Sequence, residues 1–509
     1  MTHVSLGDIP REHRRSFPDR TAVIDGEHRL TWPQLDDRIT RAAHALAAAG
    51  VATGDRVLWL GQNSFRVFEL IGACAKLGAM VCPVNWRQSA DELAFVLADF
   101  APRVVVWQDE EIGAAVRAAR DLTASDATWW QHDADGPGTY EGALAEASDV
   151  DDFAPVDPDL AVLVIYTAAI HGRPNGSMLS HRNLLAMGME SAYLTDTTSD
   201  SVFLNSGPLF HIGNFQWDAM AVFLQGGANV FVRRVDAAEL LDIVTAARVT
   251  SAFLMPPTIA EMTRLHSPDR HDLTCLRGGV FTPLWGGIVA ADDTPWGSAP
   301  GGFGQTEVGG LAVTNAHGGR GAGNAGRPGP FSRVRVVDGE GRERPVGEAG
   351  EIVIGGETVH LGYWNRPELN TARMRDGWWH TTDLGRREAD GTIQFIGTMT
   401  RMIKSAAENI YPAEVEACLE RHPAVREAAL IGVPDDRFVQ SAKAVVALAD
   451  GASATEEELI EHCRAHIATY KKPRSVEFVD ALPRVDGAKD YAALDDKFGG
   501  GGYPGGANA

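Results

Sequence analysis

The stretch YTAAIHGRPNGSMLSH, residues 166–181, decides how the rest of the chain is read. It follows the apolar run 160–165, so a buried strand leads into a loop punctuated by Gly172, Pro174 and Gly176. The whole apolar run, 160–170, is about half of the ~20 residues that cross a bilayer, so a membrane span is not expected there.

Outward from that strand, the first third of the chain alternates helix and strand patterns. Thr31 and Pro33 open a helix whose apolar positions Leu35, Ile39, Ala42, Ala43 and Leu46 recur at helical spacing, and Gly50 closes it. Residues 56–60, 80–84 and 104–107 read as buried strands. Helices are expected over 64–77, capped by Ser64, and around 92–100. Strand, helix, strand at this spacing predicts a parallel sheet with helical crossovers. From about Ala325 the pattern changes to short β runs (334–337, 351–354, 393–396) separated by glycine turns. A compact segment follows Gly397, with helices over 413–421 and 456–467 and strands over 428–433 and 442–447. The fold class is therefore α/β. A large N-terminal body of several subdomains (1–397) carries a small mobile α+β domain (398–498), and the glycine-rich end (499–509) is expected to be a disordered tail.

The chain has 509 residues with 46 basic and 68 acidic side chains, a formal net charge of −22. That charge argues against a broad basic face for nucleic acid but leaves room for local anion sites. The N-terminal residues lack the apolar core of a signal peptide. The five cysteines, Cys74, Cys82, Cys275, Cys418 and Cys463, form no C-x-x-C pair. A zinc site or disulfide framework is not expected, and a reducing cytoplasm fits. No membrane partner is expected either.

The 166–181 stretch resembles the phosphate loop of the adenylate-forming (ANL) superfamily of acyl-CoA synthetases, adenylation domains and luciferases, usually Y-T-S-G-T-T-G-x-P-K-G-x-x-x-S-H. Tyr166, Thr167, Gly172, Pro174, Gly176, Ser180 and His181 match. Seven further motifs follow in order: Pro208-Leu209-Phe210-His211, Phe303-Gly304-Gln305-Thr306-Glu307, Gly326-Arg327-Pro328, Gly362-Tyr363-Trp364, Thr382-Asp383-Leu384-Gly385, NIYPAEVE at 409–416, and Leu482-Pro483-Arg484 before Lys489. The resemblance implies an acyl-CoA ligase of two steps. A carboxylate first attacks the α-phosphate of ATP to give an acyl adenylate. A thiol, usually of coenzyme A, then displaces AMP.

The loop departs from the pattern where triphosphate would bind. Ala168, Ala169, Ile170 and His171 stand where the family has S-G-T-T, and Asn175 stands where it has lysine. Three hydroxyl donors, a flexible glycine and a cation are gone. A charge-assisted donor contributes ~1.5–3 kcal/mol, so losing several weakens triphosphate binding by orders of magnitude. The alternative is that backbone N–H groups alone suffice.

The resemblance places better-kept groups around AMP. Asp383 would accept from both ribose hydroxyls, Phe303 would stack on adenine, and Gly304, Gly278 and Gly279 would let backbone approach the base. Thr167 and Thr306 would contact phosphate. Glu307 would hold Mg²⁺ if MgATP binds. Lys489 would neutralise charge during adenylation, although Ala488 replaces the glycine usual before it. Thr398 stands where a ribose-binding arginine is common, Thr400 is the hinge, and Ser405, Ala406 and Ala407 would line the thiol tunnel. His211 would lie beside an acyl pocket made roomy and apolar by Phe215 and the stretch 280–287.

The combination is similar to the non-adenylating acyl-CoA ligase type of platensimycin and platencin biosynthesis. It implies coenzyme A and an acyl adenylate as substrates, a bulky diterpenoid acyl group, a partner adenylating ligase, and a thioester-forming half-reaction. Two alternatives stand beside it: a complete ATP-dependent acyl-CoA ligase, and an inactive protein that binds an acyl adenylate.

Overall fold

The structure, a computed structural model, describes residues 3–167, 173–318, 325–399, 401–405, 408–485, 488–501 and 503. The expected crossover sheet is present. Its six strands run in the order Thr128–Gln131, Val104–Trp107, Arg56–Leu60, Met80–Pro83, Ala161–Thr167, Asn175–Ser180. The first five are parallel, and the last pairs antiparallel with Ala161–Thr167, bringing Thr167 opposite Asn175. Residues 168–172, between the two strands, lie outside the described residues.

Helices bury this sheet against a second, five-stranded sheet (Ser251–Ala252, Val202–Asn205, Ala228–Phe231, Thr21–Asp25, His28–Thr31). The helix Trp32–Ala48 starts with Thr31, whose hydroxyl accepts from the Gln34 N–H while the Gln34 side chain accepts from the Thr31 N–H. It packs on Arg66–Leu77 through Ile39. Gly72 makes that close approach possible, since a Cβ there would lie 2.8 Å from Ile39 Cδ1, and a larger residue would force the helices apart. Ser64 does not cap this second helix. Its hydroxyl donates to Asp25 on the neighbouring sheet, and Phe65 takes the cap position. The same hydroxyl oxygen accepts from the Arg66 N–H at 3.4 Å, one residue outside the cap position.

A third sheet, eight-stranded, spans 302–398 and includes Gly302–Gln305, Trp378–Arg387 and Ile393–Thr398. The small domain begins at Ile403. Its sheet (Glu408–Ile410, Ile403–Ser405, Val439–Leu448, Val425–Asp435, with Ser475–Phe478 alongside) packs on helices Pro412–Leu419 and Glu456–His466 around Val415, Leu430, Ala444, Leu459 and Cys463. The architecture is thus a large α/β body with a small C-terminal domain. Within the expected tail, Tyr503 is buried, and its hydroxyl donates to Asp495 and accepts from the Gly432 N–H at 2.8 Å each. An aromatic residue with a polar tip gives even a glycine-rich end something to bury. Among the described residues no helix is long and apolar enough to cross a membrane.

Candidate active site

Two cavities meet in the cleft between body and small domain. The first, about 470 Å³, is lined by Thr167, Phe303, Glu307, Tyr363 and Asp383 from the body, by Thr398 at the boundary, and by Lys404, Glu408 and Lys471 from the small domain. The second, about 540 Å³, is more apolar and runs back past Phe253, Gly278, Gly279 and Phe281. His211, Gly304, Gln305, Thr306, Leu311 and Asn409 line both.

The strand Trp378–Arg387 presents Asp383 beside Thr398 of Ile393–Thr398. The Gln305 amide donates to the Asp383 carboxylate. Burial pushes the Asp383 pKa up to about 7, against the lowering effect of that hydrogen bond. Glu307 is also buried, which raises its pKa, while the Tyr363 hydroxyl donates to it at 2.7 Å and partly offsets the rise. Phe303 has one face stacked on Phe395, with ring centroids 5.4 Å apart and planes 17° apart. Gly304 is explained by packing alone, because a Cβ would sit 1.8 Å from the Gly310 carbonyl oxygen on the paired strand. His211 opens its ring to the cavity space yet is surrounded by protein. Burial lowers its pKa, and Glu408 opposes that. Its Nδ1 accepts from the Gly213 N–H at 3.1 Å.

The structure does not bring every expected residue to the cleft. Asn175 is buried and accepts from Arg366 Nε at 3.1 Å, and it is absent from the cavity wall. Lys489 lies within the small domain, where its Nζ donates to Glu416 at 2.8 Å and to the Ala428 carbonyl at 2.6 Å. Ser405 ends a short strand and lines neither cavity. Phe215 is fully buried against Phe68 in the main core instead of facing the acyl cavity. Gly278 and Gly279 line the apolar cavity and not the first one. Ala168, Ala169, Ile170, His171, Thr400, Ala406 and Ala407 lie outside the described residues. His181, the last residue of the loop motif, is structural: its Nδ1 accepts from the Leu6 N–H at 3.1 Å, and burial lowers its pKa to about 4.

Several cleft residues escaped the sequence reading. Lys471 is buried between Glu92 of the body and Glu414 of its own domain, at 2.8 and 2.6 Å. Arg87 pairs with Glu408 at 2.6 Å, and Lys404 Nζ donates to Asn409 at 2.8 Å. The hint was Asn409 at the start of NIYPAEVE, which placed that segment near the site without its neighbouring cations. Among the described residues no three His, Cys, Asp or Glu side chains cluster to hold a metal. Glu307 could offer Mg²⁺ a carboxylate oxygen, with other ligands coming from substrate phosphate and water.

Two adjoining cavities thus lie under the small domain, one more polar, with Glu307 and Asp383 on its wall, and one more apolar. The AMP-binding enzyme family model matches residues 10–364 and the AMP-binding enzyme C-terminal domain model matches 414–489, so the chain belongs to the AMP-binding enzyme family. It is 37% identical over 498 residues to a feruloyl-CoA synthase of an Amycolatopsis species, covering 96% of this chain and 98% of that protein. It is 33% identical to the fatty acid–[acyl-carrier-protein] ligase ScoC of Streptomyces coeruleorubidus, covering 96% and 95%. In fold it is similar to a double mutant of the o-succinylbenzoate CoA synthetase MenE of Bacillus subtilis bound with a product analogue, at TM-score 0.79 and 24% identity, covering 96% of this chain and 98% of that one. The chain is an acyl-CoA ligase-family enzyme.

Proposed function

We propose that this enzyme forms a thioester from an acyl adenylate and coenzyme A, releasing AMP, and that its own adenylating step is lost or weak. The coenzyme A sulfur attacks the acyl carbonyl carbon, a C–S bond forms, and the C–O bond to the phosphate of AMP breaks. Asp383 holds the ribose, Phe303 and Gly304 face the base, Thr167 and Thr306 meet the phosphate, and His211 stands beside the carbonyl. Residues 1–397 act as the body and 398–498 as a lid that alternates about Thr400.

One observation carries the reading. The described residues of the phosphate loop bring no cation to the cavity: Arg173 lies over the Phe95 ring at 5.2 Å, and Asn175 is held by Arg366. The lid orientation agrees with it, since Lys404, Glu408, Asn409 and Tyr411 line the cleft while Lys489 stays bound in its own domain. A polycyclic acyl group fits a cavity of about 540 Å³, and we propose a diterpenoid one supplied as its adenylate by a partner ligase. A second reading, the complete ATP-dependent ligase, is favoured by the 37% identity to a feruloyl-CoA synthase and by the presence of Thr306, Glu307 and Asp383. Calorimetric titration separates the two: AMP is expected to bind at least about tenfold tighter than MgATP. MgATP binding as tight as AMP, sharpened by added acid, would favour the complete ligase.

A further inference from the structure

Asp218 occupies a π-helical turn, Phe215–Met220, on the wall of the apolar cavity. Such turns recur at functional sites, and here Phe215 and Met220 pack into the core while Asp218 faces the cavity. Its carboxylate accepts a hydrogen bond from no described residue. It has only burial, the distant attraction of Arg277 and the repulsion of Asp292 to respond to, and burial pushes its pKa up to about 7. Arg277 lines the same cavity and donates to the Thr195 carbonyl at 2.8 Å. It makes no ion pair with Asp218. Asp292 is already occupied by Thr294, whose hydroxyl donates to it at 2.6 Å. Trp217 and Trp296 complete this end, with ring centroids 4.7 Å apart.

A half-enclosed carboxyl that accepts from no donor is costly, by ~1–3 kcal/mol for an unpaired polar group and more for a charge. A cavity meant for a hydrocarbon tail alone would be better lined by leucine. We propose that Asp218 and Arg277 form a subsite for a hydroxyl carried on the ring at the far end of the acyl group. The hydroxyl donates to the Asp218 carboxylate and accepts from the Arg277 guanidinium, while the ring packs against Trp217 and Trp296. This subsite rests on the acyl-ligase reading and is independent of which half-reactions survive. A site built to hydrogen-bond a hydroxyl discriminates against the analogue that lacks it, because its own polar groups are then left unpaired.

The test uses the full chain and non-hydrolysable adenylate mimics: 4-hydroxycinnamoyl, 4-methoxycinnamoyl and cinnamoyl sulfamoyl adenosine, with sulfamoyl adenosine itself as the reference. The hydroxylated mimic is expected to bind at least about tenfold tighter than the other two acyl mimics, since the methoxy group accepts but cannot donate. Asp218→Leu should erase that preference while the unsubstituted mimic binds as well as before, and Asp218→Asn should retain part of it. Equal binding of the three mimics to the unmodified enzyme would overturn the subsite, and that comparison needs no variant. A preference that persists in Asp218→Leu would overturn it as well. Failure of sulfamoyl adenosine and all three mimics to bind would overturn the acyl-ligase reading, and the subsite with it.

Discussion

Under the proposed function, Asp383 sets nucleotide affinity against stability. An aspartate in the unfolded chain ionises near ~3.9, whereas burial holds this one at about 7 in the fold. The folded state therefore binds the proton more tightly. Its contribution is full below the unfolded value and falls away as pH rises toward 7. Two ribose hydroxyls would donate to the ionised form, so AMP binding should release a proton and tighten between pH 6 and pH 8. Asp383→Asn is expected to weaken AMP binding by about tenfold or more. The same change should raise Tm relative to the unmodified enzyme by about 2 °C or more at pH 8 and by much less at pH 4. Scanning fluorimetry at the two pH values checks this, and an equal Tm difference at both would contradict it.

The hairpin of Ala161–Thr167 and Asn175–Ser180 concentrates the functional departure in one loop. Changing Ala168→Ser, Ala169→Gly, Ile170→Thr, His171→Thr and Asn175→Lys together should restore pyrophosphate release from acid and MgATP. The donors, the cation and a backbone free of Cβ return together. Adding Thr398→Arg should raise that rate further. A folded, rebuilt enzyme that releases no pyrophosphate would show that the site is lost more deeply than the loop. The family was legible because motif spacing survives substitution, as were the strands Arg56–Leu60 and Val104–Trp107 and the capped helix Trp32–Ala48, where periodicity and end signals agree. Ser64 misled because the helix starts one residue later than the pattern suggests, with Phe65 at the cap position and the Ser64 hydroxyl donating to Asp25. Phe215 misled because motif proximity does not say which way a helical side chain points, and the π-turn sends Phe215 inward and Asp218 outward. Lys471 was invisible because its two partners, Glu92 and Glu414, lie 379 and 57 residues away in sequence.

The small domain is docked on the body by contacts that any rotation must break. Lys471 bridges Glu92 and Glu414, Arg87 pairs with Glu408, and the Ser89 hydroxyl donates to the His466 carbonyl at 2.8 Å. In this orientation Lys489 is held by Glu416 and the Ala428 carbonyl, and a rotation bringing it to the cleft would displace Lys404, Glu408, Asn409 and Tyr411 from the cavity wall. Lys489→Ala should therefore leave thioester formation from a preformed adenylate within about twofold of the unmodified rate, a barrier change of less than about 0.5 kcal/mol. Glu92→Gln leaves Lys471 short of one partner and should slow that same step several-fold. Stopped-flow measurement of acyl-CoA formation separates the two, and slowing by Lys489→Ala equal to that of Glu92→Gln would argue against the docked lid as the thioester-forming state. The most direct measurement follows AMP and acyl-CoA in one preparation supplied either with a preformed acyl adenylate plus coenzyme A or with the free acid, MgATP and coenzyme A. The first mixture is expected to give stoichiometric AMP and acyl-CoA at least about a thousandfold faster than the second, a barrier difference of about 4 kcal/mol. Equal rates from the two mixtures would contradict the account.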